Sequence, residues 1–191
     1  MTFMKGKLCE LRVLEPRPDE VRAWTDGVMG GMTTQYLFTG SLPMRYIDVE
    51  QQWEKEREAG DILFGIYAIG DKHPEAGYVT KFIGTCGLHS HREIYRSWEL
   101  RILIFDVTSV GKGIGTEAVR MLTEYAFNRL NAHRVWLGVN EENTRAYECY
   151  RKVGYQVEGI LRDEIFCYGR YCNAVRMGLL EREWKGPFAH A

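Results

Sequence analysis

A glycine-rich turn near the middle of the chain constrains the fold more than any other feature. Val110–Thr116 (VGKGIGT) joins an apolar, strand-like run, Leu100–Phe105, to a segment whose apolar residues recur every three or four positions. That spacing predicts an amphipathic helix. Glycine adopts positive φ at little cost, and the first N–H groups of a helix lack intrahelical partners and attract anions. The sequence therefore predicts a strand, a turn able to bind phosphate, and a helix.

The spacing of the glycines separates this turn from two common phosphate-binding motifs. A P-loop reads Gly-x-x-x-x-Gly-Lys-Ser/Thr, whereas Lys112 is followed by Gly113. A dinucleotide fingerprint reads Gly-x-Gly-x-x-Gly, whereas Thr116 stands where the third glycine belongs. Neither an NTPase nor a dehydrogenase is indicated. Taken alone, the turn also fits a tight connection that binds no ligand.

Composition places the chain among soluble, cytoplasmic proteins of one domain. It has 191 residues, of which 45% are hydrophobic and 27% charged, and this is ordinary for a globular α/β domain. A net charge of −1 gives no reason to expect nucleic acid or a membrane as partner. Residues 1–10 lack the apolar core of a signal peptide, and no uninterrupted apolar stretch approaches the roughly 20 residues that a membrane span requires. Five cysteines without a Cys-x-x-Cys pair predict free thiols: Cys9, Cys86, Cys149, Cys167 and Cys172.

Strand and helix patterns alternate along most of the chain. We expect strands at 7–14, 62–69, 81–88, 98–105, 135–139, 155–167 and 171–180. Helices are expected at 19–29, between Asp48 as N-cap and Gly60, from Thr116 to about Leu130, and from Asn143 to Gly154. The elements predict one α/β domain over residues 1–184 and a loose tail at 185–191.

A second motif lies on the last predicted helix. Asn143 and Tyr150 are seven residues apart, which places them on one helix face, about 10 Å apart along the axis. Tyr150 could instead pack in the core with its hydroxyl bonded to backbone. Together, the glycine turn and the segment Asn-x-Arg-Ala-x-x-x-Tyr-x-Lys-x-Gly-aromatic (143–155) resemble the GCN5-related N-acetyltransferase (GNAT) superfamily. The C-terminal pattern at 158–162 and 169–171 is similar to the branch of ribosomal-protein N-terminal, amino-sugar and polyamine acetyltransferases.

The resemblance implies a fold and an activity. The fold is a mixed, mostly antiparallel sheet flanked by helices (α+β), with a splayed strand pair that holds acyl-CoA. The activity is transfer of an acetyl group from acetyl-CoA, as co-substrate, to a primary amine in a ternary complex. The acceptor is a protein N-terminus or a small molecule such as an amino sugar, and a polyamine is an alternative. A homodimer is also expected. A regulatory module that binds acyl-CoA without catalysis stays open, because Gly138 stands where many relatives carry a glutamate base.

The resemblance and the chemistry together name the site residues. Tyr150 is the expected general acid, because a phenol can give a proton to the departing thiolate. Glu99 is the expected general base, unless it forms an ion pair with Arg101. His89 and His91 could relay a proton, but no third ligand for a metal site is evident. The residues expected to bind CoA are Leu103, Ile104, Phe105, Val110, Gly111, Lys112, Gly113, Ile114, Gly115, Thr116 and Asn143.

Aromatic residues are frequent in the N-terminal part of the chain. They either pack between helices or face the acceptor. If they face it, they favour an apolar or sugar-like acceptor over a bare polyamine, for which carboxylates are needed. These residues are Trp24, Tyr36, Phe38, Tyr46 and Trp53.

Overall fold

Eight strands form one sheet in the order β1-β2-β3-β4-β5-β6-β8-β7. The computed structural model describes residues 2–30, 43–73, 77–167 and 169–186. The strands are β1 (Thr2–Lys5), β2 (Cys9–Val13), β3 (Ile62–His73), β4 (Gly77–Arg92), β5 (Ser97–Ile104), β6 (Arg134–Asn140), β7 (Gln156–Cys167) and β8 (Arg170–Leu180). The helices are α1 (Pro18–Met29), α2 (Tyr46–Glu58), α3 (Ile114–Arg129) and α4 (Thr144–Val153). Neighbouring strands are antiparallel except β5 and β6, which confirms the expected mixed, mostly antiparallel sheet.

The two parallel strands separate soon after they meet. β5 and β6 pair only from Ser97 with Arg134 to Glu99 with Trp136. Beyond that point no register joins them, whereas β5 remains paired with β4 as far as Ile104. The edge of β5 that faces β6 therefore lacks ladder partners in the described structure. This is the splayed strand pair that the resemblance implies.

Helices cover both faces of the sheet and form two hydrophobic clusters. On one face α3 buries Ala118 and Leu122 completely, and Leu100 of β5 belongs to the same cluster. On the other face α1 and α2 pack through Trp24 and Trp53, whose rings meet edge to face at 5.9 Å. Because side chains alternate along a strand, β5 contributes to both clusters and passes through the centre of the molecule.

The N-terminal strand β1 is absent from the sequence-based prediction, because four residues are too short to show a pattern. Its turn into β2 is fixed by a distant carboxylate. Glu117 of α3 accepts hydrogen bonds from the backbone N–H groups of Lys7, Leu8 and Cys9 at 2.8, 2.7 and 3.0 Å. The start of α3 is thereby tied to the edge of the sheet.

Two helices begin earlier than the sequence predicts. The N-cap of α2 is Arg45, and Asp48 lies at the third helical position, where its carboxylate accepts the Arg45 N–H at 2.9 Å. The helix α3 begins at Ile114, because Gly113 takes the left-handed conformation at its N-cap. Of the expected loose tail, only Lys185 and Gly186 are described. None of the described helices has the length and apolar character needed to cross a bilayer.

Candidate active site

A cavity of about 750 Å³ lies where β5 and β6 separate. Its lining includes residues from the glycine turn, from α4, from the central strands and from α1 and α2. Among the residues named from the sequence, it is lined by Glu99, Leu103, Ile104, Val110, Gly111, Gly113, Gly115, Thr116, Asn143 and Tyr150. The structure therefore brings most of the predicted site together.

The glycine turn presents backbone to this cavity. Gly111 and Gly113 have φ of 81° and 84°, in the left-handed region that glycine adopts without strain. Their N–H groups donate to no other group in the described part of the chain. Lys112 is exposed and does not line the cavity, and Ile114 is buried in the core. Any contribution of these two residues to anion binding is therefore made by the main chain at the start of α3.

Strand β5 differs from the prediction at its last residue. Leu103 and Ile104 line the cavity, but Phe105 does not. We expected Phe105 to bind CoA together with Leu103 and Ile104, but its N–H donates to the Ile83 carbonyl at 3.0 Å and is not open to a ligand. The Phe105 ring packs at 5.4 Å from that of Phe82. Donors for a developing oxyanion are therefore limited to the stretch of β5 that ends at Ile104.

Two tyrosines near the end of α4 have different hydroxyl environments. Tyr150 and Tyr155 are both buried, and their rings lie 6.2 Å apart. The Tyr155 hydroxyl bonds to the Thr123 hydroxyl at 2.8 Å. The Tyr150 hydroxyl has no hydrogen-bond partner in the described part of the chain, and Tyr150 lines the cavity. Burial raises the pKa of Tyr150, so its hydroxyl keeps its proton at physiological pH.

Asn143 has the capping role that the sequence predicts. Its side-chain oxygen accepts the Ala146 N–H at 3.1 Å at the start of α4. Asn140, at the end of β6, is a cavity residue that the sequence analysis missed. Its oxygen accepts the Glu142 N–H at 2.9 Å, whereas its buried Nδ2 has no partner in the described part of the chain. Leaving a buried donor unpaired costs about 1–3 kcal/mol, so an acceptor atom placed in the cavity would stabilise Asn140.

Charged side chains cluster at the part of the cavity that α2 lines. Glu99 forms an ion pair with Arg101 at 2.8 Å, the alternative that the sequence left open. Burial alone would lower the pKa of Arg101, but Glu99 and, at longer range, Glu56 and Asp61 raise it. Three carboxylates therefore lie near enough to Arg101 to raise its pKa. The carboxylates that a polyamine acceptor needs are therefore present in this region, and they come from α2, β5 and the loop before β3.

The aromatic residues named from the sequence divide into three groups. Trp24 and Trp53 line the cavity while packing against each other. Tyr46 is exposed and donates to Asp26 at 2.9 Å, away from the cavity lining. Tyr36 and Phe38 lie outside the described residues. Both a packing role and a cavity role therefore hold for the two tryptophans.

His89 lines the cavity, and the His91 side chain lies outside the described part of the structure. Within the described part, no three His, Cys, Asp or Glu side chains are placed to hold a metal ion. The five cysteines are free thiols. The described cavity is lined by carboxylates, by guanidinium and ammonium groups, by one imidazole and one phenol, and by backbone of the glycine turn.

Comparison with known proteins identifies the family. Residues 13–156 match the family model described as an acetyltransferase (GNAT) domain. The chain is 33% identical over 145 residues to spermidine N(1)-acetyltransferase of Escherichia coli (strain K12), covering 71% of this chain and 76% of the relative. It is 33% identical over 114 residues to the putative ribosomal N-acetyltransferase YdaF of Bacillus subtilis (strain 168), covering 59% and 62%.

A solved structure gives the same result. The crystal structure of spermidine N-acetyltransferase from Vibrio cholerae in complex with CoA and spermine superposes with a TM-score of 0.79 at 26% identity. The match covers 95% of this chain and 100% of the other. The chain therefore belongs to the GNAT family, and it is an acetyl-CoA-dependent N-acetyltransferase.

Proposed function

We propose that the acceptor is a small amine with more than one positive charge, of the polyamine class. The observation that carries this proposal is the group of carboxylates around Arg101: Glu56, Asp61 and Glu99. Three carboxylates beside one guanidinium leave an excess of negative charge, and this excess attracts a cation. The relatives named as spermidine acetyltransferases support the same acceptor class. Polyamines thus move ahead of the amino sugar and the protein N-terminus that the sequence analysis placed first.

We propose that the donor side of the cavity binds CoA through the glycine turn. The N–H groups of Gly111 and Gly113 and the start of α3 offer donors for the pyrophosphate. The open edge of β5, ending at Leu103 and Ile104, offers backbone groups to the pantetheine arm. Asn140 Nδ2 is an unpaired donor for a carbonyl on that arm. The residues present therefore fit the co-substrate.

In the proposed reaction Tyr150 supplies the proton for the departing thiolate. Acetyl-CoA contributes an acetyl group activated as a thioester. The Tyr150 hydroxyl keeps its proton and has no hydrogen-bond partner in the described part of the chain, so it donates a hydrogen bond to the sulfur as negative charge develops there. Backbone N–H groups on the open edge of β5 stabilise charge on the carbonyl oxygen. Glu99, expected as the base, is held by Arg101, and this favours a role in binding the acceptor's ammonium group.

We also propose that copies of the chain associate and that the enzyme works in the cytoplasm. The edge strand β7 exposes several apolar side chains, among them Val157, Ile160 and Phe166. An exposed apolar edge of this kind favours pairing with a second copy. Free thiols are typical of the reducing cytoplasm. Sedimentation of the purified protein tests the association.

A thiol-release assay with three acceptors tests the proposed function. We expect spermidine to give a kcat/KM at least tenfold above glucosamine and above a short peptide with a free N-terminus. Glu56→Gln is expected to lower kcat/KM for spermidine about tenfold, since 1.4 kcal/mol of charge attraction corresponds to that factor. Glu54→Gln, on an exposed part of the same helix, is the control. A preference for the peptide contradicts the proposal, and no thiol release with any acceptor favours the non-catalytic alternative.

A further inference from the structure

Because Glu99 is paired with Arg101, it does not fit the role of general base. Another pair of side chains, His89 and Asp61, fits this role. His89 of β4 lines the cavity, and its Nδ1 lies 2.6 Å from Oδ2 of Asp61. The exposed fractions of the two side chains are 7% and 13%, so the contact is largely shielded from water. Because an ionised carboxylate only accepts hydrogen bonds, the hydrogen of the neutral ring lies on Nδ1. The contact fixes both the orientation and the tautomer of His89.

The other ring nitrogen, Nε2, lies on the side of the ring that faces Gly87. Gly87 precedes His89 by two residues, so both lie on the same face of β4, and both line the cavity. A Cβ at Gly87 would lie 3.3 Å from His89 Nε2, which shows how close this nitrogen is to the glycine backbone. The described part of the chain offers Nε2 no hydrogen-bond partner. The neutral ring therefore presents a basic lone pair at the cavity.

The acceptor carboxylates surround this imidazole. His89 pairs in register with Glu99 across β4 and β5, a position in which Cβ atoms are about 5 Å apart. The charged groups near it are Asp61 from the loop before β3, Glu99 and Arg101 from β5, and Glu56 from α2. Glu99 and Glu56 attract the ammonium group of an acceptor, which brings its nitrogen to the region of Nε2.

We propose that His89, oriented by Asp61, accepts the proton that the amine loses before attack. This inference rests on the proposed function of the site. The N–H bond of the ammonium breaks, its electron pair stays on nitrogen, and the proton moves to Nε2, where Asp61 stabilises the imidazolium. The nitrogen then bonds to the thioester carbon and the C–S bond breaks. Tyr150 gives its proton to the departing thiolate, and the second proton lost by the nitrogen restores the Tyr150 hydroxyl. His89 then releases its own proton to water.

Substitution of the two residues tests the proposal. His89→Gln is expected to lower kcat/KM for spermidine about 10²- to 10⁴-fold at pH 7, the usual range for removing a general base. The loss should shrink as the pH rises and free amine becomes abundant. Asp61→Asn keeps an acceptor for Nδ1–H but removes the negative charge. Because Asp61 is a positioning residue, this variant should lose less activity than His89→Gln and should shift the pH profile of kcat/KM. Unchanged acetyl-CoA affinity by calorimetry shows that the variants are folded.

An acceptor with a low pKa separates a proton-accepting role from a structural one. A primary amine whose pKa lies below the assay pH arrives without the extra proton, so His89→Gln should then cost less than about tenfold. Equal losses for spermidine and for this amine contradict the proposal, and so does full activity of His89→Gln with spermidine at pH 7. If His89→Gln does not fold, the pH profiles of Asp61→Asn and Glu99→Gln decide. A shift confined to Glu99→Gln overturns the assignment. Failure of the acceptor proposal is separate, because it appears as poor activity of the unmodified enzyme with spermidine.

Discussion

Replacing Tyr150 by phenylalanine removes one buried hydroxyl group from the edge of the cavity. Tyr150 is buried, yet its hydroxyl has no hydrogen-bond partner in the described part of the chain. Tyr155, five residues later and also buried, bonds to Thr123 at 2.8 Å. Tyr150→Phe and Tyr155→Phe therefore each remove a phenol hydroxyl. In the described part of the chain, only the Tyr155 hydroxyl forms a hydrogen bond. One serves as a matched control for the other.

The structure sets the magnitudes. Tyr155→Phe loses one internal hydrogen bond, which costs about 0.5–1.5 kcal/mol of the free energy of unfolding. For a chain of this size that lowers Tm by about 2–4 °C per kcal/mol. Tyr150→Phe loses no such bond and should leave Tm unchanged or slightly higher. Its turnover should fall about 10²- to 10⁴-fold if the hydroxyl acts as the acid, whereas Tyr155→Phe should retain activity.

Two measurements on the same preparations decide the matter. Thermal unfolding gives the stability of each variant, and thiol release at saturating acetyl-CoA gives its turnover. Affinity for acetyl-CoA should be nearly equal in both variants, because neither substitution changes the shape of the cavity. Full turnover of Tyr150→Phe refutes the acid role. Destabilisation of Tyr150→Phe to the level of Tyr155→Phe refutes the claim that its hydroxyl lacks a structural partner.

Three further predictions follow from the backbone and from buried polar groups. Gly113→Ala places a side chain on a residue with φ of 84°, which should lower the free energy of unfolding by about 1–2 kcal/mol and raise KM for acetyl-CoA. Gly138→Ala is the control, because its added Cβ meets nothing within 4 Å and should leave Tm unchanged. Asn140→Asp keeps the acceptor for the Glu142 N–H but replaces the Nδ2 donor by oxygen, so calorimetry on the folded variant should show weaker acetyl-CoA binding. Burial alone would raise the pKa of Asp106, but neighbouring side chains lower it to about 2. Its stabilisation, about 2 kcal/mol above pH 4, should disappear between pH 4 and 2 in acid unfolding, and Asp106→Asn should show no such loss.

The donor side of the site could be predicted from the sequence because its signals are local. Gly111 and Gly113 lie within a few residues of the helix that they begin, and Asn143 caps the helix that carries Tyr150. Strand and helix periodicity gave nearly all the remaining elements. The short strand Thr2–Lys5 has too few residues for a pattern.

The acceptor side could not be predicted, because it depends on the strand register. Asp61 and His89 are 28 residues apart, and their contact exists only because β3 and β4 pair as they do. Glu56 is helical and Glu99 is in a strand, so no spacing in the sequence relates them. Nor can a sequence show that the Tyr155 hydroxyl has a hydrogen-bond partner while the Tyr150 hydroxyl has none among the described residues. These contacts depend on how the side chains pack in the folded protein.

A crystal structure with CoA bound tests the central claim most directly. We predict pyrophosphate oxygens within about 3 Å of the backbone nitrogens of Gly111 and Gly113, the usual distance for such hydrogen bonds. The CoA sulfur should lie within hydrogen-bonding reach of the Tyr150 hydroxyl, in the gap between β5 and β6. Pyrophosphate bound away from the glycine turn, or a sulfur directed away from Tyr150, contradicts this account.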